Sequence, residues 1–191
     1  MKKITFMRHG YPKGRYKNYF DLEFVDFEGL LLGKIVPGID VEKTKEVLAS
    51  RKLDFDFIIC SAQRRGVETA QIVSDITGSG LEILSLLNEV SFTKGVICEN
   101  DISDIGKLRK KILTQFYNSN YSETFFDAVK RLKLFIDYVK GLEYDNILCV
   151  THGWFMRLIY LYSVGKLEDV SLKELLEANV PDFLDTIEIE I

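Results

Sequence analysis

A chain of 191 residues with a net charge of −4 suits one globular domain, 1–191, with room for a small subdomain. Hydrophobic residues make up 47% and charged residues 28%, an ordinary balance able to fill a core. No apolar run approaches the roughly 20 residues that span a bilayer, and the acidic balance offers no general attraction to nucleic acid, so anion chemistry must come from a local cluster of cations.

The N-terminus reads Met-Lys-Lys and then a short apolar run with no small-residue cleavage site, so a signal peptide is not expected and the cytoplasm is the expected location. Cys60, Cys98 and Cys149 lack metal-ligand spacing, which argues against a zinc site or a disulfide framework. Cys60 and Cys149 sit inside apolar runs and read as small buried hydrophobes.

Residues 2–8 form the first predicted strand, ending in Arg8-His9-Gly10. The following stretch to Phe20 has no clean period, and its proline and glycine mark a loop. Its cations and tyrosines suit either a solvated loop over the sheet edge or a cleft wall that recognises substrate. Residues 21–40 read as irregular. Asp40 is placed to cap a helix over Val41–Arg51, with Val41, Thr44, Val47 and Leu48 on one face. Phe57-Ile58-Ile59-Cys60 is a short continuous apolar run, as expected of a central parallel strand. Ser61 ends it and is positioned to cap a helix over Arg64–Thr77, with Gly78 beyond.

Leu81–Leu87 is a third predicted strand, ending at Asn88-Glu89. Helical patterns follow over Asp101–Tyr117 and Glu123–Lys140, the second with a broad apolar stripe read as core. A strand over 146–151 ends in His152-Gly153. A helix from Trp154 to Tyr162, a short helix near 171–178 and an alternating strand within Phe183–Ile191 complete the chain. This alternation predicts an α/β fold, a mostly parallel sheet with helices on both faces. The consecutive helical patterns suggest a small helical cap over 90–125.

Arg8-His9-Gly10, Ser61 through Arg65, Glu89 and His152-Gly153 all directly follow predicted strands. In a parallel sheet they lie at one edge, so residues scattered through the chain converge. Two guanidiniums make a site for a dianion, and amide dipoles in the first turn of a helix strengthen it around Arg65. An imidazole among cations keeps a free nucleophilic nitrogen near neutral pH. A carboxyl group at the rim is suited to protonate a departing alkoxide. The parts match phosphoryl transfer to histidine, with no metal or other cofactor required.

Arg8-His9-Gly10 resembles the signature of the histidine phosphatase superfamily, also called phosphoglycerate mutase-like. Ser61-Ala62-Gln63-Arg64-Arg65-Gly66-Val67-Glu68-Thr69-Ala70 resembles its second motif, Leu87-Asn88-Glu89 the segment holding the acid, and Val150-Thr151-His152-Gly153 the last motif. The resemblance implies that His9 is the nucleophile, that Arg8, Arg65 and His152 hold the phosphoryl oxygens, and that Glu89 is the proton donor. Arg64 is left as a solvated helix residue. Where members commonly have Glu or Gln and Thr after the first motif, this chain has Tyr11-Pro12, and Arg15 stands where an asparagine is common. Ser-Pro becomes Ser61-Ala62, and the bulky Trp154 replaces a small residue. Arg15 and Lys13 therefore suggest a second anionic group on the substrate, and Tyr11, Tyr16 or Trp154 a flat one.

The expected activity is metal-independent hydrolysis of a small phosphorylated metabolite through a phosphohistidine. The alternatives are a phosphomutase, which must retain the leaving alcohol, and a non-catalytic phospholigand-binding relative. The oligomeric state is left open.

Overall fold

In the computed structural model, which describes residues 1–17, 22–92 and 104–191, the strand signals converge on one five-stranded sheet. Its strands are β1 (Lys3–Arg8), β2 (Phe57–Cys60), β3 (Gly80–Ile83), β4 (Asn146–Thr151) and β5 (Thr186–Glu190), in the order β3-β2-β4-β1-β5. β1, β2, β3 and β4 run parallel, and β5 pairs antiparallel with β1 at the edge. The mostly parallel α/β architecture expected from the sequence is the one observed.

Alternation along buried strands sorts the core into two layers. Ile4, Phe6, Ile59, Ile147 and Cys149 project to one face of the sheet, where they meet α5 (Phe125–Lys140) and α6 (Gly153–Ser163). Met7, Ile58, Cys60, Leu148 and Val150 project to the other, against α2 (Val41–Ala49) and α3 (Arg64–Thr77) through Leu48, Ala70 and Val73. The α5 stripe buries Phe125, Val129, Leu132, Phe135, Ile136 and Val139, and Phe135 meets Phe6 edge-on at 5.8 Å between ring centroids. Thr124 and Asp127 close a capping box at its start. Cys60 and Cys149 are buried free thiols, and burial pushes the Cys60 thiol up to about 12.

Four expectations change. Residues 21–40 are not all irregular, since α1 occupies Phe24–Leu31. Its signal was weak because Glu23 at its N-cap makes no side-chain capping bond and Gly29 interrupts it. A Cβ at Gly29 would stand 2.6 Å from Ile35 Cδ1, so a larger residue there would have to displace the end of that side chain. Asp40 does cap α2, but that helix stops at Ala49. Ser61 does not cap α3, whose N-cap is Gln63 without a side-chain bond. The third strand ends at Ile83, and Ser85–Leu87 form a 3-10 turn instead.

Further along, α4 (Ile105–Tyr117) lies beside α7 (Leu172–Glu177) and buries Leu108, Ile112, Leu113 and Phe116. The helix start expected at Asp101, part of the cap expected over 90–125, Asn18 and Cys98 lie outside the described residues. Among the described residues no helix is long and apolar enough to cross a membrane.

Candidate active site

Register alone brings the histidines together. Arg8 pairs with Thr151 across β1 and β4, so His9 and His152 leave adjacent strands side by side, and their ring centroids are 5.0 Å apart. Cys60 pairs with Val150 across β2 and β4, which sets Ser61 beside the same strand end. α3 starts three residues later and carries Arg65 in its first turn, where its Nε donates to His9 Nε2 at 3.2 Å.

His9 is 2% exposed, and its Nδ1 lies 2.8 Å from the Gly10 carbonyl oxygen. A carbonyl only accepts, so Nδ1 carries the proton and Nε2 keeps its lone pair. Burial chiefly, then His152, Arg65 and Arg8, hold the His9 pKa well below its ordinary value, partly offset by the Gly10 bond. His152 is also buried and lowered, first by burial and then by Arg65, Arg8 and Arg131. Its Nε2 lies 2.6 Å from Ser61 Oγ, while its buried Nδ1 has no hydrogen-bond partner among the described residues.

The loop holding His9 is tied down on two sides. The Gly10 N–H donates to Thr69 Oγ1 at 2.8 Å, and that hydroxyl donates in turn to the Arg65 carbonyl at 2.6 Å. Arg8 lies against the C-terminal segment: its Nη1 donates to the Pro181 carbonyl at 3.0 Å, and its Cζ stands 4.1 Å from the centre of the Phe183 ring. That ring also lies 5.5 Å from His9. Leu184, in the left-handed region at φ 67, turns the chain so that its N–H meets the Arg8 carbonyl at 3.0 Å.

Glu89 closes the opposite side. Its Oε2 accepts from the Trp154 N–H at 3.0 Å and its Oε1 from those of Phe155 at 2.9 Å and Val90 at 3.0 Å. The carboxyl group thus sits on the N-terminus of α6. Burial pushes its pKa up, and this outweighs the three N–H donors and Arg65, which pull it down. Arg131 Nη1 fastens the segment by donating to the Leu86 carbonyl at 2.7 Å and the Asn88 carbonyl at 2.8 Å.

Arg8, His9, Arg65, Glu89, Gly153 and Trp154 line one cavity of about 460 Å³. The structure therefore gathers His9, His152, Arg8, Arg65 and Glu89 at one sheet edge, with Trp154 on the cavity wall. Two expected residues are not on that wall. Arg15 points away and pairs with Asp26 at 2.9 Å, because that carboxylate belongs to the unforeseen helix α1. Tyr11 packs beside Phe183 at 5.8 Å, with Lys43 Nζ 3.9 Å over its ring. Arg64 is an exposed helix residue paired with Glu68.

Sequence reasoning gave no role to Ser61 beyond capping, nor any to Thr69, Pro181 or Phe183. The second motif contains Ser61 and Thr69 and was a usable signal. Nothing local marks Pro181 or Phe183, which reach the site only because β5 folds back antiparallel to β1. Among the described residues no group of three or more His, Cys, Asp or Glu side chains is arranged to hold a metal ion.

Comparison with known proteins agrees with this geometry. Residues 40–177 match the family model of the histidine phosphatase superfamily, branch 1. A protein of Hydrogenobacter thermophilus named, provisionally, phosphoserine phosphatase 2 is 25% identical over 171 residues, covering 86% of this chain and 80% of that one. The fold is shared with the α-ribazole phosphatase of Shigella flexneri, at a TM-score of 0.69 and 18% identity over 99% of this chain and 90% of that one. It is likewise shared with an Entamoeba histolytica phosphoserine phosphatase solved with 3-phosphoglyceric acid, at 0.66 and 17% identity over 98% and 90%.

Proposed function

The chain belongs to the histidine phosphatase superfamily, and on that premise we propose that it is a metal-independent phosphomonoester hydrolase acting through a phosphohistidine on His9. The observation that carries the proposal is the orientation of that imidazole, with Nδ1–H committed to the Gly10 carbonyl and the Nε2 lone pair facing Arg65. The names of the relatives cover phosphoserine and α-ribazole phosphatases, and a phosphomonoester is their common chemistry.

In the reaction, the His9 Nε2 lone pair forms a bond to phosphorus while the bond from phosphorus to the leaving oxygen breaks. Arg8 and Arg65 neutralise charge on the phosphoryl oxygens, and His152 donates a hydrogen bond to them from Nδ1. Glu89, whose protonated form is favoured by burial relative to an exposed glutamate, gives its proton to the leaving alkoxide. A water then attacks phosphorus, Glu89 takes up its proton, and the N–P bond breaks to release phosphate. Ser61 sets the ring of His152, and Thr69 the loop of His9. Trp154 contributes to the leaving-group side. Tyr11 and Arg15 have no part in the proposal, and phosphoryl return to a retained alcohol is not required by it.

Incubation with a labelled phosphomonoester followed by alkaline quench should trap one acid-labile phosphoryl group on His9, with turnover persisting in EDTA. His9→Ala should lose the label and at least about 10³-fold in kcat. Unaltered turnover in that variant would refute His9 as the nucleophile. Phospholigand binding with neither label nor turnover in the wild-type chain would leave a non-catalytic binding protein as the reading, and loss of activity in EDTA would refute metal independence.

A further inference from the structure

Resting on the hydrolysis reading above, we propose that the leaving group accepted here is apolar: the substrate is the phosphomonoester of an alkyl or aryl alcohol, not of a hydroxy acid or polyol. His9 opens onto a cavity of about 460 Å³, within the range that encloses an organic ligand and not only a phosphoryl group. Beyond the phosphoryl-binding residues, most of its wall among the described residues is hydrocarbon. Phe27 and Leu31 come from α1, Leu108 and Ile112 from α4, and Phe92 and Trp154 meet edge-on at 5.5 Å.

The charged residues farther out are Arg109, Arg157 and Asp182. Arg109 and Asp182 are both exposed and opposite in sign. Arg157 is 2% exposed, and its Nη1 donates to the carbonyls of Leu175 at 3.1 Å and Ala178 at 3.0 Å. An amino acid or hydroxy acid leaving group would give up water around its carboxylate or ammonium against a mostly apolar wall. Arg157, already donating to two carbonyls, is the one buried charge farther out among the described lining residues. An alkyl chain has only apolar surface to bury, and each buried methylene is worth about fourfold.

A second cavity of about 760 Å³ adjoins Arg65 and Glu89 but not His9, and it is lined by polar groups including Gln63, Ser91 and Glu123. It is the competing destination for a polar leaving group. The first cavity is the one assigned here because it reaches Arg8 and His9 as well as Arg65 and Glu89, whereas of these four the second is lined only by Arg65 and Glu89.

Two measurements test the assignment: kcat/KM for n-alkyl phosphates from ethyl to octyl beside glycerol 3-phosphate and phosphoserine, and calorimetric Kd values for n-alkylphosphonates, which cannot be hydrolysed. Both should improve about fourfold per methylene until the wall is filled, with phosphoserine at least about tenfold poorer than butyl phosphate. Phe27→Gln should flatten the phosphonate series. A flat phosphonate series, or a preference for phosphoserine in a protein that labels on His9, overturns the apolar assignment and leaves hydrolysis standing. A rising phosphonate series in a protein that turns over no ester upholds the pocket chemistry and defeats the hydrolysis reading.

Discussion

Burial first, and then the charges of His152, Arg65 and Arg8, disfavour protonation of His9. Glu89 sits in the opposite condition: enclosure outweighs its N–H donors and raises its pKa, so the protonated form persists to higher pH than for an exposed glutamate. A nucleophile that stays free on the acid side and an acid that stays protonated on that side share a working range. Activity on alkyl phosphates should therefore decline as pH rises through the Glu89 pKa, where its proton is lost. Glu89→Gln should lower kcat/KM for an alkyl phosphate by about 10²- to 10⁴-fold but change little with p-nitrophenyl phosphate, whose leaving group needs no proton. Equal losses on both would remove Glu89 from the donor role. Both histidines and Arg65 were legible because each follows a strand signal within a motif. Arg15 was not correctly legible, because its partner Asp26 belongs to a helix whose pattern was too weak to read.

At the scale of elements, the site is a joint among strand ends and two helix N-termini. α3 delivers Arg65, the first turn of α6 holds Glu89, and the turn after β1 must pass close to α2. That last approach explains Gly10. A Cβ there would stand 2.6 Å from both Thr44 Cγ2 and Thr44 Oγ1, and Thr44 is fully buried. Gly10→Ala should cost about 1–3 kcal/mol, read from urea unfolding. It should also depress turnover, since Gly10 supplies the carbonyl that orients His9. A variant of native stability would show that α2 yields at no cost. The helices with strong stripes or caps were readable locally, as α2 and α5 illustrate. α1 was not, because it lacks a side-chain cap and its glycine is explained only by Ile35 packing across it.

For the whole molecule, keeping two imidazoles neutral in the interior links stability to pH. Their folded pKa values lie below the ordinary 6.5, so below that pH the unfolded chain binds protons that the folded chain refuses. Their contribution is intact above pH 6.5 and is lost as pH falls toward the folded values, by up to about 1.4 kcal/mol per pH unit for each histidine. Glu89 acts with opposite sign, since its raised pKa makes the folded chain the better proton binder above the ordinary carboxyl range. Comparison with a His9→Gln, His152→Gln double variant separates the two effects. Between pH 7 and 5.5 the wild-type chain should lose more unfolding free energy than the variant. Parallel curves would mean the imidazoles are not held neutral.

The sequence by itself determined the sheet class, the strands bearing both histidines and the family resemblance, because strand alternation, turn residues and motif spacing are local along the chain. Only the tertiary structure decided that Phe183 lies under Arg8, that Ser61 Oγ lies against His152, that Arg15 is taken by Asp26, and that most of the described wall of the cavity beyond His9 is hydrocarbon. Those outcomes depend on which distant surfaces pack together, a free-energy competition among segments that no short window of sequence contains.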